Sequence, residues 1–114
     1  METSINEGEI IEGSVTACLR RDLVMDEYFM LANFLVTRIG PEAESVSIPI
    51  QILFKDEQSD IINPPRNTFV RAEIDDAYAL ARPKHIFMLT NIAFVDRDSL
   101  QIVSRIPSPP KFWD

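Results

Sequence analysis

The stretch Ile10-Ile-Glu-Gly-Ser-Val-Thr-Ala-Cys-Leu19 alternates between two kinds of side chain. The odd-numbered set is largely apolar and consists of Ile11, Gly13, Val15, Ala17 and Leu19. The even-numbered set contains the polar residues Glu12, Ser14 and Thr16. A period of two is typical of a strand that has one face on a core and one polar face. We therefore predict a β-strand over residues 10–19.

Four further apolar runs predict strands over residues 28–39, 46–54, 68–74 and 85–95. A shorter run over residues 100–106 predicts a sixth strand or an arm. The charged residues 20–27 favour a hairpin loop, and residues 56–67 allow one helical turn before Pro64. Residues 75–84 contain good helix formers, Ala77-Tyr-Ala-Leu-Ala81, and Pro83 ends the helix that they predict. Five or six strands with one or two short helical turns make a small all-β barrel or sandwich.

Charge and composition narrow the classes of function. The 114 residues fit one domain, and 11 Lys and Arg against 18 Asp and Glu give a net charge of −7. That charge argues against a protein held on nucleic acid or anionic lipid by bulk charge alone. The single cysteine, Cys18, excludes an internal disulfide framework and favours a reducing compartment. We expect a cytoplasmic protein with no membrane partner.

The domain is expected to occupy residues 10–106. Residues 1–9 form an acidic N-terminal extension without the basic residues of a secretory leader. Residues 107–114 form a Pro-rich C-terminal tail that cannot be helix or central strand, because its prolines lack a donor. The tail carries Phe112 and Trp113, a pair that either folds back on the barrel or docks on a protein partner.

The amino-acid sequences of these runs, and their order, resemble those of the bacterial single-stranded DNA-binding protein family. Gly13-Ser-Val-Thr-Ala17 is similar to its Gly-x-Leu-Thr strand, and Leu31-Ala-Asn-Phe-Leu-Val-Thr-Arg38 to its Val-Ala-Asn-Phe strand with a basic end. Ile48-Pro-Ile-Gln-Ile-Leu-Phe54-Lys55 lies where the family has an apolar strand ending in Trp and Lys. Phe69-Val-Arg-Ala-Glu73 resembles its Leu-Val-x-Val-Glu strand. This chain differs in its Pro64-Pro65 break and its tail, so it resembles a divergent member.

The resemblance implies an OB-fold-like five-stranded Greek-key barrel that binds single-stranded DNA or assists DNA replication or repair. It also implies a homodimer or homotetramer, since the family assembles through strands such as residues 10–19. The alternative is an OB-fold interaction module that holds a protein partner through the tail or an edge strand and binds no nucleic acid.

Single-strand binding needs basic residues for phosphates and aromatic faces for bases. The candidates lie on strand faces and in the loops after the first and fourth strands: Arg20, Arg21, Arg38, Phe54, Lys55, Arg71, Tyr78, Arg82 and Lys84. Phe54 stands where the family stacks a tryptophan on bases. The alternative is that these charges are solvated, each beside an acid. Phe34 and Phe69 are more typical of a core than of a stacking platform.

Catalysis, metals and cofactors have little support in the sequence. His85 is the only histidine, so a catalytic triad or a histidine metal site would lack partners. Asp75-Asp76 and Asp96-Arg-Asp98 are carboxylate pairs of the kind that turns use for backbone hydrogen bonds. Three dispersed glycines make no phosphate-binding loop. We expect no enzyme, no metal and no cofactor.

Overall fold

Six strands and one short 3₁₀-helix make up the residues that the computed structural model describes, which are 5–40, 45–75 and 85–106. The strands are β1 (Ile10–Val24), β2 (Glu27–Ile39), β3 (Ile48–Phe54), β4 (Thr68–Asp75), β5 (Ile86–Asp96) and β6 (Ile102–Arg105). The 3₁₀-helix (Asp56–Ile62) connects β3 to β4. It is the helical turn that the sequence allows before Pro64.

The strands are hydrogen-bonded in the order β3-β2-β1-β4-β5-β6, and β3 also pairs with β5. The β3–β5 pairing is parallel, whereas the other pairings are antiparallel. This extra pairing closes strands β1 to β5 into a barrel and leaves β6 outside the closed ring. The prediction of an all-β, OB-fold-like five-stranded barrel is confirmed.

The charged segment 20–27 is not the loop that its composition suggests. β1 continues to Val24, and a two-residue turn, Met25-Asp26, leads directly into β2 at Glu27. Both turn residues have positive φ, 51° and 63°, as in the turns that match the twist of a hairpin. Arg20 and Arg21 therefore lie on a strand. We call residues 16–31 of this hairpin the hairpin arm; it lies past the pairing of β1 with β4, which ends at Gly13.

The main core lies inside the barrel. Its larger members come from all five barrel strands and from the 3₁₀-helix: Ile11, Phe34, Val36, Ile52, Phe54, Ile61, Val70, Ile74, Leu89, Ile92 and Phe94. A second cluster fixes the hairpin arm against β3 and β5 and consists of Val24, Phe29, Leu31, Leu53, Ile86 and Met88. The arm is thus a packed part of the molecule.

At Gly13 the backbone of β1 packs closely against β2. A Cβ atom on Gly13 would overlap the backbone oxygen of Leu35 and lie 2.8 Å from Cε1 of Phe34. Glycine is therefore required here by space, because no side chain fits between the strand and the Phe34 ring.

The short helix is the only one in the described ranges, and none there is long and apolar enough to cross a membrane. The predicted short helix over residues 75–84 lies almost wholly outside the described residues, apart from Asp75 at the end of β4. The tail with Phe112 and Trp113 also lies outside them.

Candidate nucleic-acid interface

Two of the predicted basic residues meet on the outer face of the barrel at Glu12. In the strand register Glu12 of β1 lies opposite Arg38 of β2 on one side and opposite Arg71 of β4 on the other. The flanking residues Ile11 and Gly13 are buried, so the alternation of the strand turns the Glu12 side chain outward. Pairing of three strands therefore brings together residues that are far apart in the sequence.

Glu12 holds both arginines through their Nε atoms. Its Oε2 atom accepts a hydrogen bond from Arg71 Nε at 2.8 Å, and its Oε1 atom lies 3.6 Å from Arg38 Nε. Its side chain is only 12% exposed, whereas those of Arg38 and Arg71 are 42% and 34% exposed. The carboxylate is covered and the two guanidinium groups face solvent.

A surface cleft of about 320 Å³ opens beside this ion pair, and we call it the arginine cleft. It is lined by Glu12, Gly13, Ser14, Thr37, Arg38, Ser45, Phe69, Arg97 and Leu100. Its wall carries Arg38 and Arg97, and Arg71 contacts the lining residue Glu12. Three guanidinium groups and one carboxylate give a local charge of +2 in a chain whose net charge is −7.

Arg97 reaches the cleft from the turn between β5 and β6. The Asp96 carboxylate accepts the backbone N–H groups of Asp98 and Ser99 at 3.1 and 2.7 Å. These hydrogen bonds, that of Ser99 foremost, lower the pKa of Asp96 below its usual value of 3.8. The Arg97 N–H also donates to the backbone oxygen of Asn67 at 2.9 Å. The turn is thereby fixed, and with it the base of the Arg97 side chain.

Phe69 supplies the aromatic surface of the cleft. It lies on β4, two residues before Arg71, and its side chain is half-buried between buried Thr68 and Val70. The sequence favoured a core position for Phe69, whereas the structure places it among the lining residues of the cleft.

Phe54, which the resemblance places in a stacking position, lies in the core and offers no exposed ring face to a base. The side chain is 3% exposed and belongs to the main core. Near its end β3 pairs with both β2 and β5, and Ile52, Leu53 and Phe54 are all buried there. Phe34, for which a core position was favoured, is 1% exposed.

The remaining described candidates lie around the hairpin arm. Arg20 Nε pairs with Asp22 Oδ1 at 3.0 Å, and Lys55 Nζ pairs with Glu27 Oε1 at 2.6 Å. Lys55 Nζ also lies 5.2 Å from the centre of the Phe29 ring. Arg20 and Lys55 thus have the acid partners that the solvated interpretation requires. Exposed ion pairs of this kind contribute little to stability.

Tyr28 was missed by the sequence interpretation. It lies opposite Leu23 on the arm, is 66% exposed, and lines a shallow pocket with Arg21 and Lys55. The run Tyr28-Phe-Met-Leu31 is apolar or aromatic throughout, so the sequence does not show which of its side chains face outward. Glu12 and Arg97 were also missed, because only the strand register and the turn bring them to Arg38.

Three predicted nucleic-acid residues, Tyr78, Arg82 and Lys84, lie outside the described residues. Within the ranges that are described, no group of three His, Cys, Asp or Glu side chains is arranged to hold a metal ion. The Asp96 carboxylate is used by its own turn, as the sequence indicated for this pair.

Comparison of the chain with protein-family models, curated proteins and solved structures gives no match. The barrel and the geometry of the arginine cleft are therefore the features that bear on function.

Proposed function

We propose that this protein binds single-stranded DNA in the arginine cleft, as a replication or repair accessory protein. The observation that carries the proposal is the convergence of Arg38, Arg71 and Arg97 beside the half-exposed ring of Phe69. OB-fold barrels commonly bind oligonucleotides on surfaces of this kind. The resemblance to bacterial single-stranded DNA-binding proteins supports the same function.

The cleft offers both contacts that an unpaired strand needs. Glu12 contacts Arg38 and Arg71 at Nε, so their terminal amino groups remain available to donate to phosphate oxygens. The Phe69 ring offers a face to a base, and stacking of this kind contributes about 1–3 kcal/mol per base. Glu12 opposes binding, because its carboxylate competes with phosphate for the same guanidinium groups.

The test is fluorescence anisotropy of a labelled oligothymidylate over a range of salt concentrations. The wild-type protein should bind, and its affinity should fall steeply as salt rises. Arg97→Gln should weaken binding and reduce the slope of log affinity against log salt by about 0.7, the loss of one phosphate contact. Glu12→Gln should strengthen binding several-fold, because it removes the competing charge and keeps the shape of the side chain.

Two matched variants separate site effects from net charge. Glu57→Gln changes the charge by the same unit as Glu12→Gln, at an exposed position on the 3₁₀-helix, and should change affinity much less. Arg97→Lys keeps the charge and should keep the salt slope while losing bidentate contact. Absence of binding at micromolar protein and low salt contradicts the proposal, as does equal behaviour of Glu12→Gln and Glu57→Gln.

A second candidate function, a protein-interaction module, is favoured by the hairpin arm. Large apolar side chains are exposed along it: Leu19 at 43%, Leu23 at 56%, Met25 at 65% and Tyr28 at 66%. In the described residues β1 beyond Gly13 pairs only with β2, so its other edge is open. An open apolar edge is a template for pairing with another chain. The expected homodimer or homotetramer would use this edge.

Assembly through the arm is tested by light scattering. The wild type should show a mass of two or four chains, and Leu23→Glu should shift it to that of one chain at the same concentration. Leu23 lies far along β1 from Glu12, so this variant should retain the salt-dependent DNA binding of the cleft. A mass of one chain for the wild type at all micromolar concentrations contradicts the assembly.

A further inference from the structure

The residues of the arginine cleft belong to a longer row that crosses the sheet. The row follows the pairing from strand to strand: Arg38 of β2, Glu12 of β1, Arg71 of β4, Ala93 of β5 and Arg105 of β6. Residues directly opposite one another in a sheet point to the same face. Arg105 therefore lies on the same outer face as the two arginines that Glu12 holds.

The burial of neighbouring residues agrees with an outward orientation of Ala93 and Arg105. Ile92 and Phe94 belong to the main core, so Ala93 between them is on the outer side of β5. Ile106 is likewise in the core, and Arg105 before it is exposed. Ala93 is the smallest residue of the row and is itself covered, at 2% exposed, so the arginines on either side of it are the parts of the row that meet solvent there.

The spacing of the row is regular. Neighbouring strands lie about 4.8 Å apart, so Arg38, Arg71 and Arg105 stand about 10 Å from one to the next. Arg105 makes no ion pair with any residue in the described ranges, whereas Arg38 and Arg71 share Glu12. With Arg105 the three arginines and one glutamate of the row sum to +2, and Arg97 adds a further charge beside it.

We propose that strand β6 is part of the binding surface and that single-stranded DNA crosses the strands along this row, with Arg105 as a phosphate contact beyond the cleft. The inference rests on the proposed function and adds the path of the ligand to it. Arg105 has no acid partner within the described residues. Its guanidinium group can therefore bind a phosphate without first breaking an ion pair.

The test compares Arg105→Gln with Arg66→Gln by anisotropy of labelled oligothymidylate. Both variants lose one positive charge. Arg66 is exposed and lies outside the row, five residues before Arg71, so it controls for net charge alone. Arg105→Gln should weaken binding about three- to ten-fold and reduce the salt slope by about 0.7. Arg66→Gln should have the smaller effect on both. Arg105→Glu should weaken binding more than Arg105→Gln.

The length of the oligonucleotide gives a second readout. Arg105 lies at one end of the row. Arg105→Gln should therefore reduce the affinity for a long oligothymidylate more than the affinity for one that is just long enough to fill the cleft. Wild-type binding that Arg105→Gln reduces no more than Arg66→Gln overturns the path and leaves the proposed function standing. Absence of wild-type binding overturns both the path and the proposed function, as does wild-type binding that Arg97→Gln leaves unchanged.

Discussion

Gly13→Ala should destabilise the barrel by about 3 kcal/mol or more, a large fraction of the stability of a small domain. The added methyl group would overlap the backbone oxygen of Leu35, and a backbone atom cannot turn away as a side chain does. Gly13 pairs with Val36 of β2 and with Val70 of β4. A shift of β1 that makes room on one side therefore disturbs pairing on the other.

Urea unfolding followed by circular dichroism measures this loss. Gly40→Ala is the matched control, because within the described residues a Cβ atom there meets nothing within 4 Å and the cost is that of its positive φ of 71°. A left-handed alanine costs about 1–2 kcal/mol. If Gly13→Ala loses no more free energy of unfolding than Gly40→Ala, the close approach of β1 to Leu35 is not as described.

Phe29→Ala should cost about 3–5 kcal/mol, the usual range for removing a buried phenylalanine ring. Phe29 is 1% exposed and packs in the second cluster with Leu31, Leu53 and Met88. Its ring also lies under Lys55 Nζ at 5.2 Å. Loss of the ring leaves a cavity between the hairpin arm and strands β3 and β5, and the arm loses its main support.

The neighbouring residue provides the control for this variant. Tyr28 lies on the opposite face of the same strand and is 66% exposed. Tyr28→Ala should therefore change the free energy of unfolding by less than about 0.5 kcal/mol. Equal losses for Phe29→Ala and Tyr28→Ala in the same urea titration would contradict the packing of the arm.

The strands of the barrel could be predicted because burial on one face leaves a period of two in the sequence, as in residues 10–19. The hairpin arm could not be predicted, because Arg20, Arg21 and Asp22 have the composition of a loop. The turn at Met25-Asp26 also lacks the glycine or asparagine that usually marks positive φ. The β1–β2 pairing and the burial of Val24 at 8% override these local signals.

For the candidate site, the sequence could supply residue types but not their arrangement. Arg38 and Arg71 were named, but Glu12 joins them only through the register of three strands. The burial of Phe54 could not be predicted, because position in a motif does not show which side of a strand is covered. At the end of β3 the pairing with β5 and the second cluster bury consecutive residues, so the period of two is lost there.

The row has a consequence for local opening of the molecule. Strand β6 has four residues, all exposed, and only β5 pairs with it in the described chain. Such a strand detaches at a lower free energy than the barrel strands do. On the proposed path, single-stranded DNA can contact both Arg71 on β4 and Arg105 on β6 only while β6 is docked. Bound DNA would therefore stabilise the docked state of β6 against local detachment from the barrel.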